Sequence, residues 1–199
     1  MPALISILCI FFIIINSYFL NKNISRINYT FYLILSFPGI VIHETSHMLG
    51  CIITGAKVVD VSFFSVKGGF VKHTRSALGY IGEAIISVMP IIIGLGFIWS
   101  LLYLLKSDIS QINLRWALIL TQVFIFYFLI SIFLTLTPSV QDIQSAFLGI
   151  LVLSVVSLLL LQKFDSQFLA TINNNLIIIS ISMLAANLAV WGLKVFIKK

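Results

Sequence analysis

Residues 31–55 read FYLILSFPGIVIHETSHMLGCIITG, an apolar run whose only imidazole and carboxylate groups, His43, Glu44 and His47, fall within five consecutive positions. A helix of that length crosses the hydrocarbon of a bilayer at about 1.5 Å per residue. On such a helix His43 and His47 stand four residues apart on one face, so both imidazoles can converge on a single tetrahedral ion. Glu44 is turned about 100° from His43, within reach of a water on that ion without occupying a ligand position. Just before the motif, Pro38-Gly39 should kink the helix or free a carbonyl. Gly55, with Lys57 behind it, reads as the helix end.

The rest of the chain asks for the same solvent. Of 199 residues, 60% are hydrophobic and 9% charged, with a mean hydropathy of +1.15. A soluble fold of this size would leave large apolar patches in water, whereas a bilayer solvates them. The formal charge of +6 comes from Lys and Arg placed mostly between apolar runs, the distribution of orientation signals rather than of a nucleic-acid-binding stripe. Nucleic acid is therefore not an expected partner. Cys9 and Cys51 fall inside apolar runs and read as small hydrophobes.

Working outward, the expected fold is an all-α polytopic membrane protein, one domain over residues 1–199, with about six transmembrane helices and a small β-hairpin after the second. The spans are Ala3 to Leu20, Phe31 to Gly55, Gly79 to Leu105, Leu114 to Thr137, Ser139 to Leu161 and Thr171 to Leu193. Asn21 to Thr30 is a polar separator. The metal-site core covers residues 31–161. The first run lacks a basic start and a small-residue cleavage site, so it reads as a retained helix. Between Lys57 and Ser76, Val59, Val61 and Phe63 alternate with Asp60, Ser62 and Phe64, and Gly68-Gly69 follows, which is a hairpin pattern. Seven Lys and Arg on the hairpin and C-terminal side against five on the other place the hairpin and both termini in the cytoplasm by the positive-inside rule. Asn23 and Asn28 open glycosylation-type triplets that are too short and common to carry weight.

A catalytic zinc takes three protein ligands and keeps one open position. Asp60, Asp108 and Asp165 fall in the expected hairpin and loops, which leaves Glu83, early in the third span, and Asp142. Asp142 is favoured, with Glu83 the alternative. Ser139-x-x-Asp142 after Pro138 also fits a helix N-cap with an acid at its third position, a use that needs no metal. His73 reads as an exposed hairpin residue. Cys51, two turns and about 12 Å from His43, is too distant to share its ion. Gln122 and Asn187 read as interhelical hydrogen-bonding groups, and Trp116 and Trp191 as interfacial anchors. An ion held this way would acidify water and polarise a carbonyl, and Glu44 would act as general base. A polar packing cluster of His43, Glu44 and His47 is the plainer alternative, made less attractive by the cost of ionisable groups at membrane depth.

With these residues in view the chain resembles the site-2 protease family of intramembrane zinc metalloproteases, and in particular its small, divergent bacterial-type members. The resemblance rests on His43-Glu44-x-x-His47 inside a span, the Lys57 to Ser76 hairpin directly after it, and Pro138 to Asp142 at a later span, and covers roughly Pro38 to Gly149. The family's usual later motif, Asn-x-x-Pro followed by Leu-Asp-Gly, is replaced here by a Pro-x-x-x-Asp element. What the resemblance implies is Zn2+ as cofactor, held within a three-helix core towards the cytoplasmic side. It also implies hydrolysis of peptide bonds in or near transmembrane segments of a membrane protein substrate, whose unwound chain the hairpin would hold by strand addition. The cell membrane of a prokaryote is the expected location. A catalytically silent adaptor or chaperone of the same fold and an ion-coupled transporter are the other functions this pattern admits.

Overall fold

The computed structural model describes residues 2–65, 68–106, 115–144, 147 and 166–197. Five long helices and one two-stranded sheet account for most of them: α1 (Pro2–Ile27), α2 (Tyr29–Thr54), β1 (Val58–Ser62), β2 (Phe70–His73), α3 (Gly79–Lys106), α4 (Arg115–Thr135) and α5 (Ser166–Ile197). Four of the described helices, α1, α3, α4 and α5, are long and apolar enough to cross a membrane. The fifth, α2, is 26 residues long but carries the motif's polar side chains at its centre. Residues 140–144 and 147 are helical, and the rest of the expected span after Ser139, to Leu161, lies outside the described residues.

The polar stretch from Asn21 to Thr30 is not a loop. Helix α1 runs through it to Ile27, and α2 begins at Tyr29 after a single extended residue, Asn28, at φ −154°. The Asn28 carboxamide oxygen accepts from the Phe31 N–H at 3.0 Å, which caps one of the unpaired donors at the start of α2. Side chains that suggested solvent are satisfied inside the bundle instead, as where Asn21 donates to the Leu134 carbonyl at 3.0 Å. The end of α2 follows expectation. Gly55 adopts φ +71°, and Ala56 N–H reaches back to the Cys51 carbonyl at 2.9 Å, closing a Schellman turn.

Helix α2 lies between α3 and α4, while α1 packs along α5. Close approach depends on missing side chains. A Cβ on Gly39 would strike the Ser131 carbonyl of α4, and one on Gly50 would lie 2.8 Å from the Ile86 Cα of α3. Small residues at helix contacts are how membrane helices gain dispersion contacts when lipid offers no hydrophobic drive. An apolar cluster of Ile13, Ile98, Ile132, Leu136, Ile179 and Met183 joins α1, α3, α4 and α5. Outward faces are equally apolar, with Leu8, Phe11, Leu120 and Leu188 all about three-fifths exposed or more, the pattern of lipid-facing positions.

The α1–α5 pair corrects the expected topology. Ser6 donates to the Asn173 carboxamide at 2.6 Å and Asn187 to the Asn16 carbonyl at 2.7 Å, so the two helices run in the same direction. The start of α1 and the end of α5 therefore lie at opposite ends of the bundle, not on one face. With the end of α5, and Lys194 on it, at that other end, the count of seven against five no longer holds.

β1 and β2 pair antiparallel, with Asp60 opposite Lys72 and Val61 opposite Val71, as the alternation predicts. The hairpin folds back along α2, where Phe64 meets Phe37 edge to face at 4.9 Å between ring centroids. Its glycine turn thereby arrives at the motif.

Candidate metal centre

His43 and His47 lie one turn apart on α2, and their Nε2 atoms are 3.2 Å apart. The 140–144 turn brings the third group: Asp142 Oδ2 stands 3.6 Å from His47 Nε2. Among the described residues these form the one set of three metal-ligating side chains, all ligand atoms within 4.8 Å of one another. Two nitrogens at about 2.0–2.1 Å from a tetrahedral zinc are about 3.3 Å apart, so the observed spacing matches one shared ion.

Both imidazoles are aimed by backbone. His43 Nδ1 lies 2.7 Å from the Thr135 carbonyl of α4, and His47 Nδ1 lies 2.9 Å from the Ile86 carbonyl of α3. A carbonyl only accepts, so each Nδ1 must carry a proton, which leaves each Nε2 able to present a lone pair to the shared point. Two lone pairs facing each other at 3.2 Å repel unless a cation or a proton lies between them. This donor set, two oriented imidazoles and a carboxylate, fits a divalent zinc-like ion.

Asp142 both caps a helix start and faces the histidines. Its Oδ2 accepts from Ser139 N–H at 2.8 Å, while Ser139 Oγ accepts from Asp142 N–H at 3.1 Å. That reciprocal pair is a capping box, and it holds the carboxylate where it faces His47. The cap that the sequence offers as an alternative to a ligand role leaves the same oxygen facing His47. The other candidate, Glu83, is elsewhere: its Oε1 accepts from Ser76 N–H at 2.8 Å and ties down the turn entering α3. His73 sits on β2 with Nδ1 against the Thr74 carbonyl at 2.9 Å, and Asp60 pairs with Lys72 at 3.0 Å. Cys51 packs against Ala56 and Ile86, as expected of a small hydrophobe. Asn187 makes its interhelical bond to α1, whereas Gln122 is exposed on α4. Trp116 and Trp191, 75% and 60% exposed, stand at the start of α4 and towards the end of α5. Asp108 and Asp165 lie outside the described residues.

Glu44 is 8% exposed. It opens, with His43, onto a cleft of about 160 Å3 that Asn21, Tyr32, Gly69 and Thr137 also line. Gly69 rests directly on it: a Cβ there would lie 2.5 Å from Glu44 Cγ and 2.9 Å from Oε1. The hairpin is thus one wall of the site, and only glycine allows its backbone that close. Several of these roles were not anticipated from sequence. Asn21 was placed in a loop, although Ser17 and Asn21 stand four apart and mark one polar face of α1. The Thr135 and Ile86 carbonyls bear no residue-type signal beyond the spacing of Ile86 to Pro90. Comparisons of the chain with protein-family models, curated proteins and solved structures found no match.

Proposed function

We propose that this chain is an intramembrane zinc endopeptidase of the site-2 protease type, cutting peptide bonds in or near transmembrane segments of other membrane proteins. The observation that carries this reading is the convergence of His43, His47 and Asp142 beside a carboxylate, Glu44, that faces a cleft. Zinc held there would acidify water and polarise the scissile carbonyl. Glu44 takes one proton from the attacking water as its oxygen bonds to the carbonyl carbon, then returns it to the departing nitrogen as the C–N bond breaks. One carboxylate thus serves both halves of an amide hydrolysis, and atoms and charge balance. The Thr135 and Ile86 carbonyls keep both histidines in the ligating tautomer, and the Ser139 cap keeps Asp142 facing them. Neither an adaptor nor a transporter has a use for a carboxylate beside a three-ligand site and open to a cleft. The likeness to bacterial-type members supports the plasma membrane of a prokaryote as its location.

The direct experiment uses Glu44→Gln as a trap. Membrane proteins crosslinked to that variant in cells should be cut when presented, purified, to the wild-type protein with zinc, and left intact by Glu44→Gln. Equal cleavage by both forms would remove the proposed chemistry.

A further inference from the structure

In an α-helix the carbonyl of residue i pairs with the N–H of residue i+4, and a proline at i+4 has no N–H to give. Three prolines in this chain stand four residues after a carbonyl taken by a side chain of another helix. Pro38 follows Ile34, whose carbonyl accepts from the Tyr127 hydroxyl at 2.8 Å. Pro90 follows Ile86, whose carbonyl accepts from His47 Nδ1 at 2.9 Å. Pro138 follows Leu134, whose carbonyl accepts from Asn21 at 3.0 Å. Pro138 also sets the turn after α4, and there the pairing is exchanged. The N–H that would continue the helix to the Thr135 carbonyl belongs to Ser139, and it is donated to Asp142 Oδ2 at 2.8 Å. Left without that partner, the Thr135 carbonyl takes His43 Nδ1 at 2.7 Å.

We propose that Pro90 and Pro138 are positioning residues of the metal centre: Pro90 withholds the N–H that would pair with the Ile86 carbonyl, and Pro138 sets the turn that diverts the Ser139 N–H from the Thr135 carbonyl, so that these two acceptors lock His47 and His43 with Nε2 towards the ion. Buried carbonyls demand a partner, and in a chain that lipid surrounds water is not at hand to supply one. The freed carbonyls at Ile86 and Thr135 therefore draw the imidazole N–H groups, and the histidine tautomers follow from helix geometry rather than from a dedicated carboxylate. This rests on His43, His47 and Asp142 holding an ion, and the test separates the two claims.

Pro90→Ala restores an N–H that competes for the Ile86 carbonyl, and Pro90→Leu does the same with a larger side chain. Each is made in the full chain, purified in detergent, and titrated with zinc alone against a chelator of known affinity. In parallel, 15N resonances of the imidazoles in metal-free protein report the tautomer of each histidine. The expected result is zinc binding about tenfold weaker, the low end for loss of an outer hydrogen bond to a ligating histidine. His47 should lose its pure Nδ1–H tautomer while His43 keeps it, with the thermal midpoint equal or higher. Pro38→Ala, which frees no histidine acceptor, should leave zinc affinity within twofold. Unchanged zinc affinity, or an unchanged His47 tautomer, in a folded Pro90 variant overturns the proposal. A wild-type protein that shows both Nδ1–H tautomers but takes up no zinc would overturn the metal reading itself.

Discussion

In the proposed centre Asp142 carries two loads, and substitution can separate them. Its Oδ2 faces His47 Nε2 at 3.6 Å and accepts from Ser139 N–H at 2.8 Å, while the Ser139 hydroxyl accepts from Asp142 N–H at 3.1 Å. Ser139→Ala removes only the hydroxyl's share of the cap, worth about 1 kcal/mol, so zinc affinity should fall about fivefold if the whole of that energy is spent holding the carboxylate. Asp142→Asn keeps a carbonyl oxygen for the Ser139 N–H and so preserves the cap, but it withdraws the anion from the ion. Losing a ligand should exceed the 10–100-fold typical of an outer partner, and we expect zinc affinity to drop by at least about 100-fold with little change in thermal midpoint. Asp142→Ala should lose both. Chelator competition in detergent reads the affinity, and elemental analysis the stoichiometry. Asp142→Asn with wild-type zinc affinity would show that the residue is a cap and nothing more.

Glu44→Gln should keep one zinc per chain while cleavage falls by about 10²–10⁴, the usual worth of a general base; an equally active variant would assign the proton transfer to another group. Gly69→Ala places a methyl 2.5 Å from Glu44 Cγ, so the hairpin must withdraw; cleavage should fall while zinc affinity stays within twofold, and a fully active variant would show that the turn is not part of the site. Gly39→Ala drives a methyl into the Ser131 carbonyl and to 2.5 Å from Thr135 Oγ1, an overpacking worth about 1–3 kcal/mol; the thermal midpoint should drop and zinc binding weaken with it, because the Thr135 carbonyl that holds His43 moves. Glu83→Gln should leave zinc binding untouched, since that carboxylate is spent on the Ser76 turn.

Much of this was written in the chain's periodicities. Histidines four apart on an apolar helix can only share a face, Gly55 can only end that helix, and the alternation after it can only pair as strands. Harder to read was anything decided by a partner distant in sequence. Asn21 and Ser25 look like loop residues because a carboxamide or a hydroxyl is usually solvated, yet α1 continues through them, with the Leu134 carbonyl waiting for Asn21. The direction of α5 was out of reach for a similar reason: apolar runs give the number of candidate crossings, while the Ser6–Asn173 and Asn16–Asn187 bonds set their sense. Local spacing fits Asp142 as ligand or as cap, and only the fold shows that the oxygen accepting from Ser139 N–H is also the one that faces His47. Of the two orienting carbonyls, only that of Ile86 was legible, through the proline four residues further along.

The account stands on an ion shared by two imidazoles and a carboxylate, and X-ray absorption at the zinc edge of the intact purified protein examines it most directly. We predict one zinc per chain, with two nitrogen ligands at about 2.0–2.1 Å, oxygen in the remaining positions and no sulfur, and loss of that signal in His47→Ala. Protein that is folded and free of stoichiometric metal, or a zinc bound through Cys51 or Cys9 sulfur, would contradict it.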